Sequence, residues 1–319
     1  MFKINFQESK KFPIHELALV FLIVFLALLG TYIITITPSS TPIANVSLSV
    51  RPEVNPFANL GLSAISAYVW DVKNQNTLFA YNADAPLPLA SLTKAMMAVT
   101  AIDLIPPFTT IVIDPEHLKE EGDSGLYGYE RWKLEDLLKF SLVVSSNDGA
   151  RAVASVAGSI YLGTSTESLG REGFIAKMNE KAKTWNLTQT HFVNENGLDI
   201  DEENGGAYGS ARDMAIMFER ILKEYPQVFE ATSNTEIVVR SLSNIVHTGK
   251  NTNTKVAEIP VLLASKTGFT DLSGGNLVIA FSPDVNHPII ISVLGSTYEG
   301  RFDDVMDLIK ATLRFLDQQ

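Results

Sequence analysis

The chain has 319 residues, 46% of them hydrophobic and 19% charged, with a formal charge of −11 at pH 7 and no cysteine. This composition supplies a sizeable core for one large or two ordinary domains, and it excludes disulfides, thiolate chemistry and cysteine-ligated zinc. The acidic balance comes without any clustered run of Lys and Arg, which argues against nucleic acid as a partner, because phosphate binding needs such clusters.

Residues 17–36, "LALVFLIVFLALLGTYIITI", carry no charge and match the roughly 20 residues that a bilayer-spanning helix needs. Lys3, Lys10 and Lys11 precede the run and only Arg51 follows nearby. The positive-inside rule then puts residues 1–16 in the cytoplasm and the rest outside, although Glu8 and Glu16 share that flank. The run is longer than a usual signal-peptide core and no A-x-A cleavage site follows it, so a retained single-pass anchor is expected, with a cleaved signal peptide as the alternative. Residues 37–60 are rich in Pro, Ser and Asn and read as a tether, so the folded domain is expected over 61–319.

"SAISAYVW" from Ser63 is β-prone, "DVKNQN" is turn-like and "TLFAYN" can return as a hairpin partner. Helical patterning follows over Leu92 to Leu104, twice within "KLEDLLKFSLVVSSNDGARAVASVAG", again in "GFIAKMNEKAKTWN", and in "SARDMAIMFERILKEY", where Ser210 is a plausible N-cap. "TEIVVRSL", "PVLLASKTGF", "GNLVIAFSP" and "HPIIISVLGST" read as consecutive antiparallel strands, and "RFDDVMDLIKATLRFLDQ" closes the chain as a helix. Strands at both ends enclosing a helical middle predict an α/β (α+β) fold, an antiparallel sheet built from both chain ends and packed against helices.

Three polar groups interrupt this apolar pattern. In "PLASLTKAMMAV", Ser91 and Lys94 lie one helical turn apart, so the amine can reach the hydroxyl, and apolar flanks can lower a lysine pKa enough to make it a base. Taken alone, the pair reads as a helix cap followed by a solvated lysine. Ser145-Ser146-Asn147 sits between two packing segments and reads alone as a helix–helix turn. Lys266-Thr267-Gly268 follows the apolar "PVLLAS" and reads alone as an edge strand ending in a turn, with a glycine that would let a substrate backbone approach.

Together and in this order they form the S-x-x-K, S-x-N, K-T-G set of penicillin-binding proteins and serine β-lactamases. The chain resembles, more narrowly, the serine D-alanyl-D-alanine carboxypeptidases, from about Ser63 to Leu316, with further likeness in "ASLTKAMM", "SSNDGA", "MNEKAKTWNLTQTHFVNENGLD", "YGSARDMA", "KTGFTDLSGGNLV" and "GSTYEGR". The resemblance implies a penicillin-binding-protein-like fold and removal of the terminal D-alanine from peptidoglycan stem peptides, with β-lactams as covalent inhibitors. It implies Ser91 as nucleophile, Lys94 as its base, and Ser145 with Lys266 as proton donors to the leaving amine. Asn147, Thr267 and Gly268 would bind substrate, Arg301 would bind its terminal carboxylate, and Ser124 in "GDSGL" would border the site.

The chain departs from the resemblance where Phe269 and Asn196 stand at positions often held by histidine. Endopeptidase action on crosslinked peptides stays open at this level. A β-lactamase would need a deacylating glutamate, and "TESLGREG" offers Glu167 and Glu172 without the E-x-x-L-N pattern; a β-lactam-sensing receptor would need more cytoplasmic chain. The five histidines lack metal-ligand spacing and no phosphate-binding loop is present, so neither metal nor nucleotide cofactor is expected.

Overall fold

The structure, a computed structural model, describes residues 13–35 and 55–319. The chain divides into two units at residues 53 and 54. In the first, α1 (Ile14–Thr35) carries exposed apolar side chains from Leu19 to Leu29. Among the described residues no helix is long and apolar enough to cross a membrane. The expected span of 17–36 runs beyond what is described, with Ile36 and tether residues 37–54 outside it, so the spanning helix expected of the fold is not carried by the described structure.

The second unit is built on a five-stranded antiparallel sheet. Its strands are β1 (Ser66–Asp71), β2 (Asn76–Tyr81), β3 (Leu262–Thr270), β4 (Gly274–Phe281) and β5 (Ile289–Ser296), in the order β3-β4-β5-β1-β2. The two chain ends thus meet where β1 pairs with β5, Ser66 opposite Leu294. Both faces of the sheet are covered, which explains why its strands read as nearly continuous apolar runs. On β4, Leu277, Ile279 and Phe281 face a core shared with the C-terminal helix (Gly300–Leu316), while Val278 and Ala280 face the larger core under the helical middle. Alternation of side chains along a strand makes this division.

The folded unit starts earlier than residue 61, because Phe57 is buried against Phe79 and Phe315. The strand expected at "TEIVVRSL" forms over Glu236–Arg240, but it leaves the main sheet and pairs with Val246–Lys250 in a separate hairpin. Its alternating, half-exposed residues cannot cover two cores at once, which is what a central strand of this sheet must do.

The longer helices of the middle are α2 (Thr93–Leu104), α3 (Leu134–Val144), α4 (Asn147–Leu162), α5 (Glu167–Thr184) and α6 (Ala211–Glu224). α2 is buried from Thr93 to Ala101, and its small and flexible apolar side chains let neighbours close around it on all sides. α6 opens on Ser210, whose hydroxyl accepts from the Asp213 N–H. α3 stops at Ser145, which takes a left-handed conformation (φ 61°), and Ser146 then caps α4 by accepting from Gly149 N–H at 2.9 Å. The S-S-N segment is therefore the helix–helix turn that its local pattern suggests, and that turn presents Ser145 and Asn147 on opposite sides of a break.

Candidate active site

The turn that carries Ser91 is short and strained. Ser91 lies in a 3₁₀ turn (Ala90–Leu92) that feeds α2, and Ala90 before it has φ 49°, a left-handed conformation that costs a residue with a Cβ. Two glycines let this turn sit where it does. A Cβ at Gly197 (φ +83°) would lie 1.9 Å from the Ala90 carbonyl oxygen, and one at Gly268 would lie 2.8 Å from the Leu89 oxygen and 3.2 Å from Ser91 N. Gly268, expected to admit substrate backbone, also packs directly on the turn that carries Ser91.

Lys94 is completely buried, and its Nζ donates to Ser91 Oγ at 2.8 Å, to Asn147 Oδ1 at 2.6 Å and to the Asn196 carbonyl at 2.8 Å. Burial pushes its pKa from the usual 10.5 down to about 7, against the opposing pull of Glu195 and Glu120. The motif is thus more than a helix cap: the amine is desolvated, fixed and within proton-transfer distance of the hydroxyl.

Across the cleft, β3 brings Lys266 to Ser145, Nζ to Oγ 2.8 Å, with a second bond to the Thr267 carbonyl at 2.8 Å. Burial, then the charges of Lys94 and Arg301, hold this ammonium's pKa well below its usual value. Thr267 bonds through its hydroxyl to that of Thr252 at 2.7 Å. Asn147 uses Nδ2 on the Glu121 carbonyl at 2.7 Å, so its amide bridges Lys94 and the loop before α3. Serine, lysine, serine, asparagine and lysine from three distant segments therefore converge, as their order along the chain predicted.

Arg301 is buried in the first turn of the C-terminal helix and donates to the Gly268 carbonyl at 2.9 Å. Its guanidinium stacks on Tyr298 and Phe302, and Nε has no partner among the described residues. It pairs with neither Asp303 nor Asp304; the latter accepts from Ser63 N–H and Ser296 Oγ instead. Ser124 lines an opening of about 280 Å³ together with Ser145, Asn147, Thr248 and Lys250. Its hydroxyl bonds Ser146 at 2.6 Å and Asp148 at 3.2 Å, so from the border of this opening it braces the turn that presents the site groups.

Glu167 pairs with Arg151 at 3.1 Å, Ser155 at 3.2 Å and His117 at 3.7 Å, and Glu172 is exposed; neither bonds a group at the serine. His247 and His287 bond Glu130 and Asp71, away from the cleft. Glu120 and Glu195, which belong to none of the three polar motifs, both act on Lys94. The one local signal was "NENG", where a carboxylate stands next to the departing Asn196.

The neighbours of this arrangement among known proteins agree with it. The chain is 29% identical over 250 residues to D-alanyl-D-alanine carboxypeptidase DacF of Bacillus subtilis, covering 76% of this chain and 58% of that protein. It is 29% identical over 237 residues to the D-alanyl-D-alanine endopeptidase of Escherichia coli, covering 72% and 70%. Among solved structures, penicillin-binding protein D2 from Listeria monocytogenes, in its ampicillin-bound form, superposes with a TM-score of 0.64 at 26% identity, covering 79% of this chain and 98% of that one. Residues 53–297 match the peptidase S11 family, D-alanyl-D-alanine carboxypeptidase. With that match spanning most of the chain and the serine–lysine geometry standing inside it, the protein belongs to the S11 family of serine-type D-alanyl-D-alanine carboxypeptidases.

Proposed function

We propose that the chain is a DD-carboxypeptidase that removes the terminal D-alanine from peptidoglycan pentapeptide stems through an acyl-enzyme on Ser91. The observation that carries this reading is the 2.8 Å contact between Ser91 Oγ and a buried lysine amine whose pKa is near 7. Ser91 Oγ attacks the carbonyl carbon of the penultimate D-alanine while its proton passes to Lys94 Nζ. The backbone N–H of Ser91 and one on β3 hold the oxyanion. Collapse breaks the C–N bond, and Ser145 Oγ protonates the leaving amine and is resupplied by Lys266. Lys266 Nζ stands 2.8 Å from Ser145 Oγ, in position to resupply that proton. Water then attacks the ester carbonyl, its proton passing through Ser145 to Lys266, while Lys94 returns its proton to Ser91 Oγ as the acyl C–O bond breaks. Asn147 positions the acyl side chain, and Thr267, Gly268 and Arg301 receive the terminal carboxylate.

The test is release of free D-alanine from a pentapeptide, compared with cleavage of a crosslinked muropeptide dimer, in the wild type and in Ser91→Ala. D-alanine release that vanishes in Ser91→Ala supports the reading, whereas dimer cleavage without D-alanine release replaces it with an endopeptidase. A β-lactam is expected to acylate the same hydroxyl, and peptide mapping that finds the label elsewhere overturns the assignment of the nucleophile.

The uncharged run over 17–36 and its lysine flank support a retained membrane anchor with the catalytic unit on the outer face. The full chain should then sediment with membranes and resist carbonate extraction. A mature protein that begins after residue 36 and is released in soluble form refutes this.

A further inference from the structure

Lys94 can act as a base only if its lone pair points at Ser91, and two acceptors decide that. A neutral amine has two N–H groups; when these go to Asn147 Oδ1 and the Asn196 carbonyl, the remaining direction is Ser91 Oγ. The Asn196 carbonyl is held by its own side chain, whose Nδ2 donates to Glu120 Oε2 at 2.8 Å while Oδ1 accepts from Leu198 N–H at 2.9 Å. Glu120 is held in turn by Arg151 of α4 at 3.0 Å. The neighbouring Glu195 is completely buried; Arg171 of α5 donates to its Oε1 from Nε at 3.1 Å and from a terminal nitrogen at 2.8 Å, and Oε2 has no partner among the described residues. Burying a carboxylate with one oxygen unpaired is costly, and packing alone would favour an apolar residue there.

We propose that Glu120 and Glu195 are positioning residues for the acyl transfer: Glu120, through Asn196, aims the Lys94 lone pair at Ser91, and the charge of both carboxylates steadies the ammonium that Lys94 becomes. This rests on Lys94 being the base, as argued above. The other charges around Lys94 are Lys266 on β3 with Arg301 beyond it, and Arg151 and Arg171 behind the two carboxylates. The charges that favour the ammonium on Lys94 are these two carboxylates, which act against its burial.

The test is the pH profile of acylation by a fluorescent penicillin, measured on the full chain in detergent. Removing a negative neighbour makes the ammonium less favourable, so Glu195→Gln and Glu120→Gln should each move the acid limb of the profile down by about one pH unit, the effect of one charge acting across several Å of protein. The plateau should fall about three- to thirty-fold, because the base is weaker and less well aimed. Glu195→Asp keeps the charge and should keep the limb in place. Glu120→Gln is isosteric on a partly accessible loop, so it decides the matter even where a substitution at the buried Glu195 fails to fold. A limb that stays put in Glu120→Gln, or that moves equally in Glu195→Asp and Glu195→Gln, overturns the proposal. A lower plateau with an unmoved limb also overturns it, since that is what a merely structural role would give. If Ser91→Ala is still labelled, or the wild type shows no acid limb, the assignment of nucleophile or base fails first and this inference falls with it.

Discussion

Substituting Gly268 by alanine should damage the turn that carries Ser91 from behind. The added Cβ would stand 2.8 Å from the Leu89 carbonyl oxygen, 3.2 Å from Ala90 Cβ and 3.2 Å from Ser91 N. These are mainly backbone atoms, which cannot rotate aside like the end of a flexible side chain. Reaching ordinary van der Waals separation requires the strand and the turn to part by roughly half an ångström. Neither side yields freely. β3 is laddered to β4, with Gly268 opposite Asn276, and Asn276 Nδ2 ties the same turn through the Pro88 carbonyl at 3.0 Å. On its other side the turn is backed by Gly197, packed directly on Ala90. Overpacking of this kind costs about 1 to 3 kcal/mol, which for a unit of this size lowers Tm by about 2 to 4 °C per kcal/mol. The catalytic cost is separate. A misplacement of 1 Å costs about a hundredfold in rate, so half of that should slow acylation of Ser91 by about tenfold. The assay is the acylation rate of the full chain with a fluorescent penicillin, read beside thermal unfolding. Wild-type acylation with an unchanged Tm would refute the claim that this glycine exists for the turn, and a lowered Tm with full-rate acylation would confine the contact to stability.

Arg301→Ala should reduce kcat/KM on a peptide with a free C-terminal carboxylate by roughly tenfold to a few hundredfold, the loss of charge-assisted bonds worth about 1.5 to 3 kcal/mol, and reduce it far less on the amidated peptide. Because Arg301 also donates to the Gly268 carbonyl, both substrates should lose a common factor, and the ratio between them is the deciding quantity. A free-acid preference that survives intact removes Arg301 from the role. Acylation should fall about tenfold per pH unit below 7, since burial sets the Lys94 pKa near 7 and only the neutral amine accepts the Ser91 proton; a rate that is flat from roughly pH 5 to 8 excludes Lys94 as the base. Ser210→Ala removes the hydroxyl that accepts from Asp213 N–H at 3.1 Å and should cost about 1 kcal/mol in urea unfolding while leaving penicillin acylation unchanged; an unaltered midpoint would show that α6 does not depend on its cap.

The properties that follow from neighbours along the chain could be read without coordinates. Ser91 and Lys94 fall on one helix face by their spacing, Ser210 stands where a cap is needed, and the strands of the main sheet declare themselves as apolar runs, because each depends on hydrogen bonds and side-chain directions that repeat over a few residues. The order of the three polar motifs carried the family for the same reason. What the tertiary structure alone decided are the quantities set by distant partners. Lys266 meets Ser145 from 121 residues away, and nothing in either segment encodes that distance. The drop in the Lys94 pKa comes from the helices and loops that exclude water around it, with Glu120 and Glu195 pulling against them. The strand at Glu236–Arg240 left the main sheet because burial on two faces, which local periodicity does not report, chose other strands. That Ser124 braces the turn beside the site and Gly268 packs on the Ser91 turn was not legible either, because desolvation, register and close approach exist only once the chain has brought those partners together.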